Sequence, residues 1–250
     1  MWVAPGTLAK LASPLLAEEA DLVQGHLEIR PLTRISTLTF LVLTPPYTHV
    51  LPTGPLYAPP VACTALHKAF WEKVGGFRPW RAREDSDFRK RVEAAGARVH
   101  FCPEALSYWE PAETLASLLL KVRLYGRHNL LSGAPMEWYS NLARIYGSYL
   151  LLSLLAGSWG GLSVGALTAL GSISIGAFLR TLRKALRFGP YLKSKRLLHP
   201  FSSRTLAEAA LLLLLTDWAS FVGAGEWLLK DKLGLAPERF PEPVLQTAEL

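Results

Sequence analysis

The chain has 250 residues, of which 50% are hydrophobic and 19% charged, with a formal net charge of +7. Its length allows one or two domains, and its apolar residues concentrate after residue 140, which favours membrane segments over one large soluble core. Eight Lys/Arg and no acids lie between Arg180 and Arg204, leaving 19 basic against 20 acidic residues elsewhere; the basic balance is local, which argues against a nucleic-acid-binding face and for a cytoplasmic loop near anionic lipid.

The first twenty residues do not read as a signal peptide, because no basic head precedes an apolar core. Residues 6–19 are predicted helical, with Leu8, Leu11, Leu15 and Leu16 as the apolar face. A strand follows over 21–25, extendable through Arg30. Residues 35–46 fit either a β-branched strand or a buried helix. Six prolines make 45–60 a loop. Val61–Leu66 reads as a strand running into a helix over His67–Val74. Cys63 and Cys102 have neither a disulfide framework nor metal-ligand spacing and read as small buried apolar residues.

A second helix is predicted from Asp85 to Ala95, capped by Asp85 or Ser86, with an Asp87–Arg91 i,i+4 pair and Gly96 just past its end. Val99–Cys102 reads as a strand closed by Pro103, with Leu106–Trp109 as a further short extended piece. A helix over 111–131 presents Leu115, Leu118, Leu119, Val122 and Leu130. Residues 145–179 hold 35 positions without a charge. That exceeds the roughly 20 residues of one membrane span. Gly157, Gly160 and Gly161 sit where a tight turn would divide the stretch into two short spans, about 145–160 and 161–179, with one long span as the alternative. A third apolar segment, Leu206–Leu229, is interrupted by Glu208, Asp217 and Glu226.

The charged chemistry outside the basic loop gathers between Phe70 and Tyr108. Glu84, Asp85 and Asp87 place three carboxylates in four positions. Close carboxylates raise one another's pKa, and one can then act as a general base. The same acids also suit a solvated helix start, and residues alone leave both readings open. Asp85 and Asp87 lie about 200° apart on a helix and cannot both face one ligand. Trp80, Arg81 and Arg83 in the preceding loop could stack on a sugar and hold phosphate, or be ordinary exposed loop residues. The histidines have no metal-ligand spacing. No GxGxxG, P-loop, GxSxG or HExxH motif is present.

Val74-Gly75-Gly76-Phe77, then Glu84-Asp85-Ser86-Asp87-Phe88 and Arg91, then Gly96 and a strand ending at Pro103, together resemble the acceptor-side half of family 2 glycosyltransferases of the GT-A fold. Val23-Gln24-Gly25, Cys63-Thr64-Ala65-Leu66-His67 and Lys121–His128 (KVRLYGRH) resemble further segments of that half. The resemblance covers residues 6–130. It implies an α/β fold: an incomplete GT-A-like, Rossmann-like half domain over 1–140, followed by C-terminal transmembrane helices. These are a transmembrane hairpin at 145–179, a basic cytoplasmic loop at 180–204, a third membrane helix at 205–230 and a tail at 231–250.

The resemblance further implies inverting transfer of a sugar from a nucleotide-sugar donor to a lipid-linked or glycan acceptor at the membrane of the cell envelope. Asp85 would be the base with Glu84 beside it, and Trp80, Arg81, Arg83 and Arg127 would bind substrate. The QxxRW motif of processive members has no counterpart in KVRLYGRH, which favours transfer of single sugars. The family's nucleotide-binding half carries a DxD that holds Mg or Mn and the donor diphosphate. That half is not found in these residues, so no cofactor site is expected here and the 250 residues alone are expected to be inactive. The alternative is a non-enzymatic, membrane-tethered partner or scaffold. The expected location is the inner (plasma) membrane with the catalytic part facing the cytoplasm, without nucleic-acid partners.

Overall fold

The computed structural model describes residues 2–43, 63–78, 82, 84–132, 135–194 and 198–235. The fold is mixed α/β. Its elements in chain order are β1 (Trp2–Val3), α1 (Thr7–Leu16), β2 (Leu22–Ile29), α2 (Arg34–Leu43), β3 (Thr64–Leu66), α3 (Lys68–Val74), α4 (Glu84–Ala94), β4 (Val99–Trp109), α5 (Leu115–Leu131), α6 (Pro135–Ser194) and α7 (Ser203–Glu226), the last continuing into a π-helical turn, Trp227–Lys232. The loop expected over 45–60 lies outside the described residues.

Four strands form one sheet in the order β1-β4-β2-β3. The central pair, β2 and β4, is parallel, and both outer strands run antiparallel to their neighbours. Alternation along β2 sends successive side chains to opposite faces. Val23 enters a core with Leu11 and Leu15 of α1, while Leu22 enters one with Phe88 and Val92 of α4. The sheet therefore carries α1 on one face and α3 with α4 on the other.

Two expectations change. The stretch 99–109 is one strand, not two pieces. Its register jumps from Gly25↔Cys102 to His26↔Leu106, so Pro103, Glu104 and Ala105 bulge out of the ladder. Proline has no N–H to offer a neighbouring strand, which is why the chain leaves the ladder there and rejoins it afterwards. On α1, Leu11 and Leu15 are buried but Leu8 and Leu16 are 73% and 81% exposed. The buried stripe is completed by Thr7 and Pro14, because the Thr7 hydroxyl donates to the Leu106 carbonyl at 2.8 Å and draws that side of the helix onto β4.

The ambiguous stretch 35–46 resolves as helix α2 over its described residues, 35–43, with Leu38, Phe40, Leu41 and Val42 in a third core, whose buried residues all come from helices. That core joins α2, Leu118 and Val122 of α5, Ala185, Phe188 and Leu192 of α6, and Leu206, Ala209, Leu212 and Leu213 of α7.

Helix α6 reverses on itself. Gly161 has φ 79 and ψ 176, a conformation open essentially to glycine alone. Its two arms run back along each other: a Cβ on Gly157 would sit 3.5 Å from the Gly165 Cα, and Gly176 lies against the Tyr149 ring. The arms expose Leu150, Leu151, Leu154, Leu155, Leu167 and Leu170, with Trp159 and Leu162 at the tip 93% and 90% exposed. Two helical segments, Tyr139–Phe188 and Ser203–Lys232, are long and apolar enough to cross a membrane. They differ in packing: 17% of the most apolar stretch is buried in the first, against 50% in the second.

Candidate functional site

Helix α4 begins at Glu84, one residue before the predicted start, so both Glu84 and Asp85 lie in its first turn with Asp87. The buried stripe of α4 is Phe88 and Val92. Glu84 falls four residues before Phe88 and so continues that stripe by one turn. This register draws its carboxyl inward: Oε2 is buried and accepts no hydrogen bond among the described residues. Burial, with the Asp85 charge beside it, pushes the Glu84 pKa up from the ordinary carboxylate range. Asp85 is turned differently. Its Oδ1 accepts the Ser86 N–H at 2.7 Å, taking up one of the donors that a helix start leaves without an intrahelical acceptor.

Asp87 has a structural role. Its Oδ2 pairs with Arg91 at 2.9 Å, as the i,i+4 spacing predicts. The Arg91 guanidinium reaches beyond the helix to donate to the Val74 carbonyl and, at 2.6 Å, to the Gly76 carbonyl. It thereby fastens the Gly75-Gly76 turn against α4. Gly76 has φ 59, and a Cβ there would lie 2.8 Å from the Trp71 ring. Trp71, Phe77 and Phe88 pack together with ring centroids 4.8–4.9 Å apart. The glycine turn and the aromatic cluster together fix where the first turn of α4 stands.

Helix α5 carries Tyr125 and Lys121. Burial raises the Tyr125 pKa, and the charges of Glu84 and Asp85 raise it further. Lys121, one turn earlier on the same face, stands over the Trp109 ring at 5.2 Å and the Tyr125 ring at 5.6 Å. Its pKa is lowered by burial. Trp109 is the last residue of β4, so the sheet end and α5 meet here.

Arg127 lies apart from this group. Two residues beyond Tyr125, it points about 200° around α5. There it is buried and makes a two-pronged pair with Asp231, at 2.7 and 2.8 Å. Trp80, Arg81 and Arg83 lie outside the described residues. Among the described residues no group of three or more His, Cys, Asp or Glu is placed to hold a metal ion. Sequence reading did not single out Lys121, Tyr125 or Trp109. The i,i+4 spacing of Lys121 and Tyr125 was the available signal, but nothing in it tells which neighbour that face meets.

The residues offer a buried carboxyl and a second carboxylate in the first turn of α4, and a phenol and a cation side by side on α5. They can accept a proton from a hydroxyl and receive a polar ligand. No protein-family model, curated protein or solved structure matches this chain.

Proposed function

We propose that this chain is the acceptor-side part of a membrane-anchored sugar transferase of the family 2, GT-A type. The observation that carries the reading is the Glu84–Asp85 pair, held in the first turn of α4 behind a glycine turn that Arg91 fastens to the helix. In the proposed reaction an acceptor hydroxyl oxygen forms a bond to the anomeric carbon of a nucleotide-sugar. The bond from that carbon to the diphosphate breaks, and the diphosphate leaves with the electron pair. Asp85 takes the hydroxyl proton. Glu84, buried beside it, sets the local field and accepts a hydrogen bond from the acceptor. An inverting displacement needs one base on the acceptor side, and a carboxylate within reach of the hydroxyl meets that need.

The donor diphosphate and any Mg or Mn with it require a DxD-bearing half in addition to these residues. Asp85-Ser86-Asp87 does not fit that role, because Asp87 is committed to Arg91. No step here is routed through a metal.

The α6 hairpin would anchor the site at the membrane. Charges resume at Arg144 and Arg180, on either side of the apolar arms. A hairpin returns the chain to the side it came from, so the basic 180–204 segment and the α4 site would share one face. The positive-inside rule makes that face cytoplasmic, where activated sugars are found.

The test is transfer by the protein supplied with a donor-binding half. Asp85→Asn should abolish transfer while sparing donor binding. Transfer that survives the substitution would remove Asp85 from the mechanism, and binding with no transfer in the unmodified protein would favour the scaffold reading.

A further inference from the structure

Helix α7 is tied near both of its ends to the layer that carries the sheet. Near its start Glu208 pairs at 2.5 Å with Arg34 of α2, the helix that follows β2. Near its end Glu226 pairs with Arg123, and Asp231 in the turn beyond pairs with Arg127 at 2.7 Å; both arginines belong to α5, the helix that follows β4. Strands β2 and β4 are parallel neighbours that end together at Ile29↔Trp109, so α2 and α5 set out from one edge of one sheet. Between Glu208 and Glu226 a helix advances about 27 Å, close to the roughly 30 Å of a bilayer's hydrocarbon core. A spanning α7 would put these two acids on opposite sides of the membrane, whereas their partners start from the same sheet edge. Helix α5 is also packed too closely on α7 to stay behind: a Cβ on Gly223 would collide with the Arg123 carbonyl, and one on Gly126 with the Ser220 carbonyl. If α7 crossed, α5 would be drawn in with it, and Lys121, Arg123, Arg127 and His128 would enter a region that strongly disfavours charge.

The middle of α7 sets its level. Asp217 accepts from Tyr146 and Arg180, which stand at the feet of the two hairpin arms, where the uncharged run ends. In a spanning α7 that carboxylate would lie near the bilayer centre and hold Arg180 there, although the apolar arms only begin at that residue. The outward face of α7 is apolar. Leu211, Trp218 and Phe221 are exposed, as are Leu228 and Leu229 in the turn beyond, and their spacing gathers them on one side of the helix. The Phe221 ring meets the Tyr146 ring with centroids 5.4 Å apart, so this face runs on from the foot of the hairpin. On the membrane anchoring proposed above, and independently of sugar transfer, we infer that α7 lies in the plane of the membrane surface with this face in lipid. Only the α6 hairpin then enters the bilayer, in place of a third membrane helix over 205–230. A one-sided apolar face with a Trp at its centre suits the boundary between headgroups and acyl chains. The basic 180–204 segment, which leads directly into α7, complements anionic headgroups at the same level.

Single cysteines at His199 and Leu235, each in a Cys63→Ser/Cys102→Ser background, bracket α7 in the full chain. Leu235 is exposed and lies beyond the helix, so its replacement leaves the packing of α7 intact. In sealed, salt-washed vesicles both sites should react with a membrane-impermeant maleimide from the same side and to the same extent. Reaction from opposite sides would mean that α7 crosses, and overturns the inference. A nitroxide placed at Leu211→Cys, Trp218→Cys or Leu229→Cys, read by power saturation with oxygen and a nickel chelate, should report one shallow depth at all three sites, about 5–10 Å into the headgroup and acyl boundary. Trp218 at the bilayer centre overturns the inference, as does a face that sits in water or is shielded from both relaxants by a second copy of the chain. Both bracketing sites follow the hairpin, so their agreement does not depend on whether α6 turns at Gly161. A chain that washes off the vesicles would refute the membrane anchoring, and the placement of α7 with it. Opposite labelling in a chain that stays bound would refute the placement of α7 alone.

Discussion

Glu84 and Asp21 are carboxylates of the same fold with opposite pH behaviour, because one is buried without a partner and the other is held by a guanidinium. Glu84 is raised by burial and by Asp85. Its ionised form therefore costs stability at neutral pH, and that cost is relieved as pH falls through the raised value toward the ordinary carboxylate value of about 4.3. Glu84→Gln cannot ionise. It should melt above the unmodified protein at pH 7.5 in a thermal scan, with the gap closing by about pH 4. Asp21 is lowered to about 2 by hydrogen bonds to the Arg98 side chain and backbone, at 2.8–3.1 Å. Its contribution is full above the unfolded value of about 3.9 and is lost as pH falls through about 2. The pair is solvent-accessible, so Asp21→Asn should cost at most about 1 kcal/mol at pH 7, and the two proteins should converge only as pH falls below about 2. A gap that persists into acid would show that Asp21 acts through something other than its charge.

Helices α5, α6 and α7 are joined by acids that interrupt an otherwise apolar α7. Asp217, 6% exposed, accepts from Tyr146 on the first arm of α6 at 2.8 Å and from Arg180 on the second at 2.6 Å. One carboxylate thus fastens both arms of the hairpin to α7 at the same level. Glu226 and Asp231 fasten α5 in the same way, through Arg123 and Arg127. Removing one member of a buried pair leaves the other charge without a counter-ion, which costs more than the pair itself contributes. Asp217→Ala should lower stability by about 3 kcal/mol, measured by unfolding in detergent. A loss under about 0.5 kcal/mol, the level of an exposed pair, would show that this contact does not fasten the arms. The acids that look like defects in a membrane helix when α7 is read alone are the points at which its neighbours attach. Half of its most apolar stretch is buried against them.

On the scale of the whole molecule, an α/β layer bearing the candidate site stands on a helical layer from which an apolar hairpin projects. A single cysteine placed at Ser132 and another at His199, each in a Cys63→Ser/Cys102→Ser background, should react with a membrane-impermeant thiol reagent from the same side of sealed vesicles. Labelling from opposite sides would mean that α6 crosses once and does not turn at Gly161. Sequence alone was enough to place the helices of strong periodicity, the parallel β2–β4 region as strand, the turn glycines and the Asp87–Arg91 pair. These are local: each depends on spacing within a turn or two of chain, or on a run of uncharged residues. It could not settle α2, whose β-branched residues fit a strand until helical partners buried them, nor the exposed sides of α1. Nor could it place Arg127 with Asp231, 104 residues away, or bring Lys121 over Trp109 at the end of β4. Those juxtapositions depend on how helices cross and which faces they bury, energies that appear only once distant segments have met. Glu84 joins both halves of the argument. The sequence put a carboxylate at a helix start, and packing of the Phe88–Val92 stripe against the sheet decided that this carboxylate would be the buried one.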